Sequence, residues 1–273
     1  MASLRHRHDR PRVVLMCHEG DRIDTEGLTA WLASSMHLVG VIRLREPRRR
    51  IFERIGREIR RVGLLRFLDV LAFRLYYRLW QARRDEAWIG AEVARLKNRY
   101  PVDPAGVMTL VTREPNGEAV KAFLKWTRPH VLLARCKTLL KPGVFRLPSR
   151  GTYVLHPGIC PEYRNAHGCF WALVNRDMER VGMTLLKIDE GVDTGPVLLQ
   201  SSYRFDELQE SHLVMQYRVV LENLDVVAAK LTAAWRGRAE PLRIRHRRSA
   251  AWGQPWLSAY LRWKRAAHQE AMR

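Results

Sequence analysis

The chain has 273 residues, of which 47% are hydrophobic, so it is long enough for one large domain or two small ones. That apolar content supports a core and excludes a globally disordered chain. Lys and Arg total 48 against 28 Asp and Glu, which gives a formal net charge of +20 at pH 7. The excess favours acidic partners such as nucleic acid, anionic lipid or a polyglutamylated or phosphorylated ligand, without choosing among them.

The four cysteines make no CxxC pair and have no metal-ligand spacing, so we expect free thiols, no bound metal and a cytoplasmic protein. Residues 1–12 are basic and polar and lack the apolar segment of a secretory signal. The sequence has no run of about 20 uncharged apolar residues, so we expect no transmembrane helix.

The first 44 residues predict a strand, a helix and a second strand. Apolar residues 13–16 form the first strand, residues 37–44 form the second, and Asp24 and Thr25 cap a helix over residues 26–35. A βαβ unit of this kind predicts an α/β fold with a doubly wound, mostly parallel sheet. Ligands of such folds bind at the carboxyl ends of the strands.

Residues 45–100 are densely basic and have a helical period, so we expect a basic helical hairpin inserted into the α/β domain, with its second helix over residues 85–98. The apolar positions of its first helix are Leu64, Leu65, Phe67, Leu68, Leu71, Ala72, Leu75 and Leu79. Several uses of this segment remain open: a basic face that covers the sheet or contacts a second copy, an amphipathic element on an anionic membrane surface, a groove for an acidic acceptor, or a site for RNA.

The rest of the chain continues the alternation of strands and helices. Strands are expected over residues 107–111, 129–134, 153–155, 183–188 and 201–205, and helices over residues 116–125, 169–174 and 206–236. We therefore expect one α/β domain over residues 1–236, which includes the insertion, and a basic C-terminal extension over residues 237–273.

A histidine at a strand end and an aspartate in a loop are the strongest candidates for chemistry. His156 and Pro157 follow the strand at residues 153–155, and Asp193 lies between Gly191 and Gly195. A carboxylate beside an imidazole can hold the ring in one tautomer and support proton transfer. We expect His156 and Asp193 to lie in one site.

Four short motifs around these residues resemble the folate-dependent formyltransferase family, which includes methionyl-tRNA, phosphoribosylglycinamide and sugar N-formyltransferases. They are His156-Pro157, Pro161-x-Tyr163-Arg164, Gly182-Met183-Thr184 and the loop from Asp189 to Gly195. The resemblance implies a transferase that moves a formyl group from 10-formyltetrahydrofolate to an amine acceptor, most simply a small molecule. It implies that His156 and Asp193 are catalytic, and that folate is bound by Lys137, Thr138, Leu139, Leu140 and Val192.

The resemblance breaks at Val154, which stands where the family has the asparagine of an Asn-x-His-Pro signature. Valine cannot donate a hydrogen bond to the formyl oxygen, and losing one such donor costs about a hundred- to a thousandfold in rate. Asn165 and His167 are the expected substitutes and substrate contacts, and His18 is a third candidate for substrate binding. A hydrolase that releases formate and a non-catalytic binding relative remain open as alternatives.

Two cations near the implied folate segment, Arg135 and Lys137, have three possible roles. They bind the glutamate tail of a folate, narrow the pocket, or face solvent as ordinary surface cations.

Overall fold

The computed structural model describes residues 9–45, 56, 59–60, 63–244 and 246–273. Its strands are β1 (Arg12–His18), β2 (His37–Leu44), β3 (Thr109–Thr112), β4 (Val131–Arg135), β5 (Gly151–His156), β6 (Arg164–Asn165), β7 (Gly182–Lys187), β8 (Val197–Ser202) and β9 (Ala251–Trp252). Its helices are α1 (Thr29–Ser35), α2 (Leu64–Trp80), α3 (Ala82–Arg99), α4 (Glu118–Thr127), α5 (Pro142–Phe145), α6 (Gly168–Val174), α7 (His212–Leu221), α8 (Leu224–Trp235) and α9 (Leu257–Ala271). A π-helical stretch, Ile23–Leu28, leads into α1, and a 3₁₀ turn, Met178–Arg180, leads into β7.

Within the described residues, seven strands form one sheet in the order β3-β2-β1-β4-β5-β7-β8. The pairs from β3 to β5 are parallel, and β7 and β8 are added antiparallel at one edge. The predicted doubly wound, mostly parallel α/β fold is therefore confirmed. Two short strands, β6 and β9, pair separately in parallel.

The central strands of the sheet are buried on both faces, as their apolar sequences predict. Alternate residues of β1 enter two different clusters: Val13 and Leu15 pack with Trp31 and other residues on one face, while Val14 and Met16 pack with Leu124 and others on the opposite face. Successive strand residues point to opposite faces, so one run of apolar residues supplies both cores.

The strand order reverses direction between β1 and β4, which is where ligands bind in folds of this class. Because β1, β4 and β5 are parallel neighbours, their carboxyl ends lie along one edge of the sheet. His18, Arg135 and His156 are the last residues of these three strands. The fold therefore brings three polar side chains from distant parts of the sequence to the same edge.

Two expected helices differ from the prediction. Asp24 does not cap a helix, because it lies inside the π-helical stretch Ile23–Leu28 and is buried. The long helix expected over residues 206–236 is two helices, α7 and α8, that meet at Asn223. The Asn223 side-chain amide donates to the carbonyl oxygens of Val219 and Ser202, and such local side-chain bonds compete with a continuous helix.

One expected strand is displaced along the chain: residues 201–205 lie largely beyond β8, which spans Val197–Ser202.

The expected pair of basic helices is present as α2 and α3. The residues of α2 that enter the core are Phe67, Val70 and Phe73, whereas the leucines of the sequence pattern are exposed.

Residues 237–273 include β9 and α9, and Tyr260 of α9 packs its ring 5.3 Å from the ring of Phe73. The division of the chain into a domain and an extension stays a prediction. Among the described residues, no helix combines the length and apolar composition needed to cross a bilayer.

The His212 side chain, at the start of α7, generates a prediction about pH. Its ring packs 4.9 Å from the Phe73 ring and 5.3 Å from the Tyr77 ring, and burial lowers its pKa from 6.5 to about 3. The folded state therefore keeps His212 neutral, whereas the unfolded state binds a proton below pH 6.5. The stability that this group contributes is complete above pH 6.5 and is lost as the pH falls towards 3.

We expect His212→Phe, which cannot titrate, to weaken the pH dependence of stability. Between pH 7 and pH 5, the wild-type chain should lose about 2 kcal/mol more unfolding free energy than the variant. Urea denaturation of both proteins at both pH values measures this difference, and all other titrating groups are shared by the two chains. Equal losses would contradict the assignment of a neutral, buried His212.

Gly158, which follows β5, lies against Gly168, and this close contact generates a second prediction. A methyl group added at Gly158 would lie 2.6 Å from the Tyr163 carbonyl oxygen, 2.7 Å from His156 Nε2 and 2.9 Å from the Gly168 Cα atom. We expect Gly158→Ala to lower the free energy of unfolding by about 1–3 kcal/mol, because backbone atoms must move to admit the methyl. Gly106→Ala is the control, since nothing lies within 4 Å of its added methyl. Equal stability of the two variants in thermal unfolding would show that the contact is not tight.

Candidate active site

His156 ends β5, and its imidazole is held by a backbone carbonyl. The side chain is only 5% exposed, and Nε2 lies 2.7 Å from the Tyr163 carbonyl oxygen. A carbonyl can only accept, so Nε2 carries the hydrogen of this bond. In the neutral ring, Nδ1 therefore has a free lone pair and can accept a proton. The turn after β5 thus fixes both the orientation and the tautomer of the ring.

Asp193 reaches the same ring from the loop between β7 and β8. Its Oδ2 atom lies 3.6 Å from His156 Nδ1, which is longer than a hydrogen bond and within the range of an ion pair. The same oxygen accepts a hydrogen bond of 2.8 Å from the Asn165 backbone N–H, which holds the carboxylate in place. When Nδ1 takes up a proton, the adjacent carboxylate stabilises the positive charge that forms on the ring.

Thr184 fixes the turn between His156 and Tyr163. Its hydroxyl donates to the Gly158 carbonyl oxygen at 2.7 Å and accepts from the Cys160 N–H at 3.0 Å. This threonine is in one of the sequence motifs, but a positioning role was not inferred from it. The signal available was its place on the strand paired with β5, where Thr184 lies opposite His156.

The C-terminal segment closes on the loop that carries Asn165. Strand β9 pairs with β6, and the Asn165 side-chain amide donates to the Trp252 carbonyl oxygen. The Trp252 indole donates to the Glu162 carbonyl oxygen at 2.9 Å, and its ring stacks on the Tyr163 ring at 5.7 Å. The sequence analysis did not predict that the C-terminal segment contacts this loop. The signal that could have indicated the contact was the group of tryptophans in that segment.

Asn165 and His167 point to different partners. Asn165 contacts Asp193, whereas His167 is near Gln216 of α7, with 3.0 Å between Nδ1 and the Gln216 side-chain nitrogen. Burial lowers the pKa of His167 to about 4, so its ring is neutral near pH 7. The structure thus brings the Asn165 backbone N–H, but not the His167 ring, into hydrogen-bond contact with the Asp193 carboxylate.

The other predicted contacts are spread along the same edge of the sheet. Lys137 is exposed, and its backbone N–H donates to His18 Nε2 at 3.0 Å, so these two residues meet. The Thr138 carbonyl oxygen accepts from the Cys136 thiol at 3.5 Å. Leu139 is 54% exposed, whereas Leu140 is buried in the core.

Val192, next to Asp193, is 44% exposed, and its carbonyl oxygen accepts from the Arg164 guanidinium at 2.9 Å. Val192 and Leu139 therefore present apolar side chains to solvent, while Lys137 presents a cation.

Arg135 is not the solvent-facing or ligand-facing cation that the sequence suggested. Its guanidinium pairs with Asp24, with Nε 3.0 Å from Oδ1, and donates to the Leu155 carbonyl oxygen at 2.7 Å. Burial raises the pKa of Asp24 to about 7, and the charge of Arg135 opposes that rise. The pair therefore ties the π-helical stretch to the strand that carries His156.

Val154 supplies no polar group to the site. It packs against a small apolar cluster of Cys160, Leu186 and Val197, together with Ile244 from the C-terminal segment. In the part of the chain that the structure describes, no group of three or more His, Cys, Asp or Glu side chains could hold a metal ion.

Comparison with known proteins adds a family to this geometry. The family model described as formyl transferase matches residues 81–228, which is more than half of the chain. Methionyl-tRNA formyltransferase from Kosmotoga olearia is 35% identical over 120 residues, which cover 41% of this chain and 38% of the relative. The enzyme of the same name from Thermotoga maritima is 31% identical over 117 residues, 40% of this chain and 37% of the relative. The chain thus matches less than half the length of these curated relatives.

Solved structures share the fold at low sequence identity. A sugar N-formyltransferase from a Shewanella species has a TM-score of 0.52 and 12% identity, and the match covers 89% of this chain and 76% of that chain. Glycinamide ribonucleotide transformylase 1 from Symbiobacterium toebii has a TM-score of 0.52 and 15% identity, with coverage of 88% and 93%. With the match to the family model, these findings show that the chain belongs to the formyl transferase family.

Proposed function

We propose that this protein transfers a formyl group from 10-formyltetrahydrofolate to an amine. The observation that carries the proposal is the His156–Asp193 pair, with 3.6 Å between Nδ1 and Oδ2, at the carboxyl edge of a sheet of the formyl transferase family. The exposed Lys137, Leu139 and Val192 support the donor, because a cation and two apolar side chains suit a folate. The family match does not favour a hydrolase or a non-catalytic relative.

The chain's residues divide the chemistry as follows. The donor supplies an electrophilic formyl carbon, which a neutral amine attacks. His156 Nδ1 takes the proton that the amine loses and later returns it towards the leaving nitrogen. Asp193 stabilises the protonated ring, and the Tyr163 carbonyl oxygen keeps the ring oriented throughout. Holding donor and amine in one cleft supplies a further part of the rate.

The negative charge that develops on the formyl oxygen needs a hydrogen-bond donor, which Val154 is not. Asn165 is the proposed substitute, because its loop contacts Asp193 directly. Its side-chain amide has two hydrogens, and the bond to the Trp252 carbonyl oxygen uses one of them. His167 is a weaker substitute, since its ring nitrogen contacts Gln216 on the side of α7.

The acceptor is proposed to be a small-molecule amine in the cytoplasm. Two structural neighbours, the sugar N-formyltransferase and the glycinamide ribonucleotide transformylase, take their names from small-molecule acceptors. The sequence relatives take theirs from methionyl-tRNA. Incubating the protein with 10-formyltetrahydrofolate and a cell extract, followed by mass spectrometry for products heavier by one formyl group, identifies the acceptor.

We expect His156→Ala and Asp193→Asn each to lower turnover by about a hundred- to ten-thousandfold, because proton transfer and its stabilisation are lost. The rate is measured in single-turnover experiments with the identified acceptor, from the absorbance change that accompanies formation of tetrahydrofolate. His268→Ala is the control, since His268 lies on α9 and is exposed. Wild-type rates in either site variant, with the fold intact, would remove that residue from the mechanism.

Val154→Asn tests the missing donor. If Val154 limits the rate, the introduced amide should raise turnover by up to about a hundred- to a thousandfold. A lower rate would instead mean that the apolar cluster around Val154 serves a different chemistry. The same assay run without an acceptor measures formate release, which identifies a hydrolase if it proceeds at the full rate.

A further inference from the structure

Helix α2 has apolar side chains on two opposite sides. Phe67, Val70 and Phe73 are buried in the core. The other side, here called the leucine face, consists of Leu64, Leu65, Leu68, Leu71, Leu75 and Leu79, and each of these is between 40% and 85% exposed. Residues spaced by three, four or seven positions share one side of a helix, so these leucines form a continuous stripe. Contiguous exposed apolar surface of this kind marks an interaction site.

Positive charge lies beside the leucine face. Arg74 and Arg78 follow one flank of α2, and Arg83 lies just beyond its end, all three exposed. None of these three arginines forms an ion pair with another residue that the structure describes. The one acidic residue within Leu64–Trp80 is Asp69, whose carboxylate accepts a hydrogen bond of 3.0 Å from the Ser258 N–H. Among the described residues, the positive charge next to the leucines therefore has no ion-pair partner.

The leucine face is already formed in the folded protein. The ring of Phe73 lies 5.3 Å from the Tyr260 ring and 4.9 Å from the His212 ring, which anchors the inner side of α2. A partner can therefore bind the outer side without any rearrangement of the helix, so binding does not incur the conformational-entropy cost of ordering α2.

We infer that α2 lies flat on an anionic lipid bilayer, with the leucine face among the acyl chains and the arginines at the headgroups. A helix with leucines on one side and arginines beside them is the pattern of an interfacial helix. Arginine stems reach along apolar surface while their charged ends stay at the headgroup level. The exposed Trp80, at the end of α2, is a residue type enriched at that level. This inference rests on α2 alone and is independent of the proposed reaction.

Two other occupants fit the surface less well. A second copy of the chain would bring a net charge of +20 against +20, which opposes association through this basic helix. RNA would satisfy the arginines but leave the leucines without a role, because single-stranded nucleic acid is bound by aromatic stacking and by polar contacts. A bilayer with anionic headgroups satisfies both the apolar and the charged parts of the surface.

Vesicle sedimentation of the full chain tests the inference. We expect the protein to pellet with vesicles of phosphatidylcholine and phosphatidylglycerol, and to remain in the supernatant with phosphatidylcholine alone. The double variant Leu68→Glu and Leu75→Glu should lose binding to the anionic vesicles. Val226→Glu is the matched control, because Val226 is a 47% exposed apolar residue on α8, and it should bind like wild type.

The contribution of charge is measured separately. Arg74→Gln together with Arg78→Gln should weaken binding about twentyfold or more, since each cation near an anionic surface contributes about fivefold. Arg113→Gln together with Arg238→Gln removes the same charge from exposed positions outside α2 and should have a much smaller effect. Thermal unfolding of each variant shows that the fold is retained.

Four results would overturn the inference. Two concern vesicles: the wild-type protein does not pellet with anionic vesicles, or the double variant Leu68→Glu and Leu75→Glu pellets with them as fully as wild type. Two concern other partners: the wild-type protein forms a dimer in sedimentation equilibrium that the double variant does not form, or it binds RNA in a mobility-shift assay, loses this binding in the double variant, and binds no vesicles.

Discussion

The site depends on one hydrogen bond, 2.7 Å long, between His156 Nε2 and the Tyr163 carbonyl oxygen. This bond decides which ring nitrogen carries the hydrogen and therefore leaves Nδ1 facing Asp193. It requires the chain to turn back tightly after β5, which Gly158 permits by its contact with Gly168 and Thr184 secures by bonding to both sides of the turn. The geometry of the His156–Asp193 pair comes from the backbone of the turn as much as from the two side chains.

The sheet and the proximity of His156 to Asp193 could be predicted from the sequence, for different reasons. β2 was predicted at its observed bounds because a strand buried in a parallel sheet is a short apolar run between polar ends. His156 and Asp193 were identified through motifs, and the structure places them together. The Tyr163 carbonyl oxygen could not be predicted, because every residue has a backbone carbonyl and only the fold selects one of them.

The helices show that hydrophobic periodicity does not predict which side of a helix is buried. In α2, the spacing of the leucines indicated one apolar side, but Phe67, Val70 and Phe73 form a second apolar side that packs in the core. A pattern shows which residues share a side of a helix, not which side meets the protein. Arg135 is a similar case, since a cation in a predicted ligand segment gives no sign that it is buried against Asp24, far away in the sequence.

Because a chain is synthesised from its N-terminus, the β6–β9 pairing can form only after most of the sheet has been synthesised. His156, Asn165 and Asp193 all emerge before Trp252, whose carbonyl and indole anchor the loop beside them. A nascent chain can therefore assemble the sheet while this loop still lacks its anchor. The loop beside Asp193 therefore gains these contacts only after the segment around Trp252 has been synthesised and has folded back onto it.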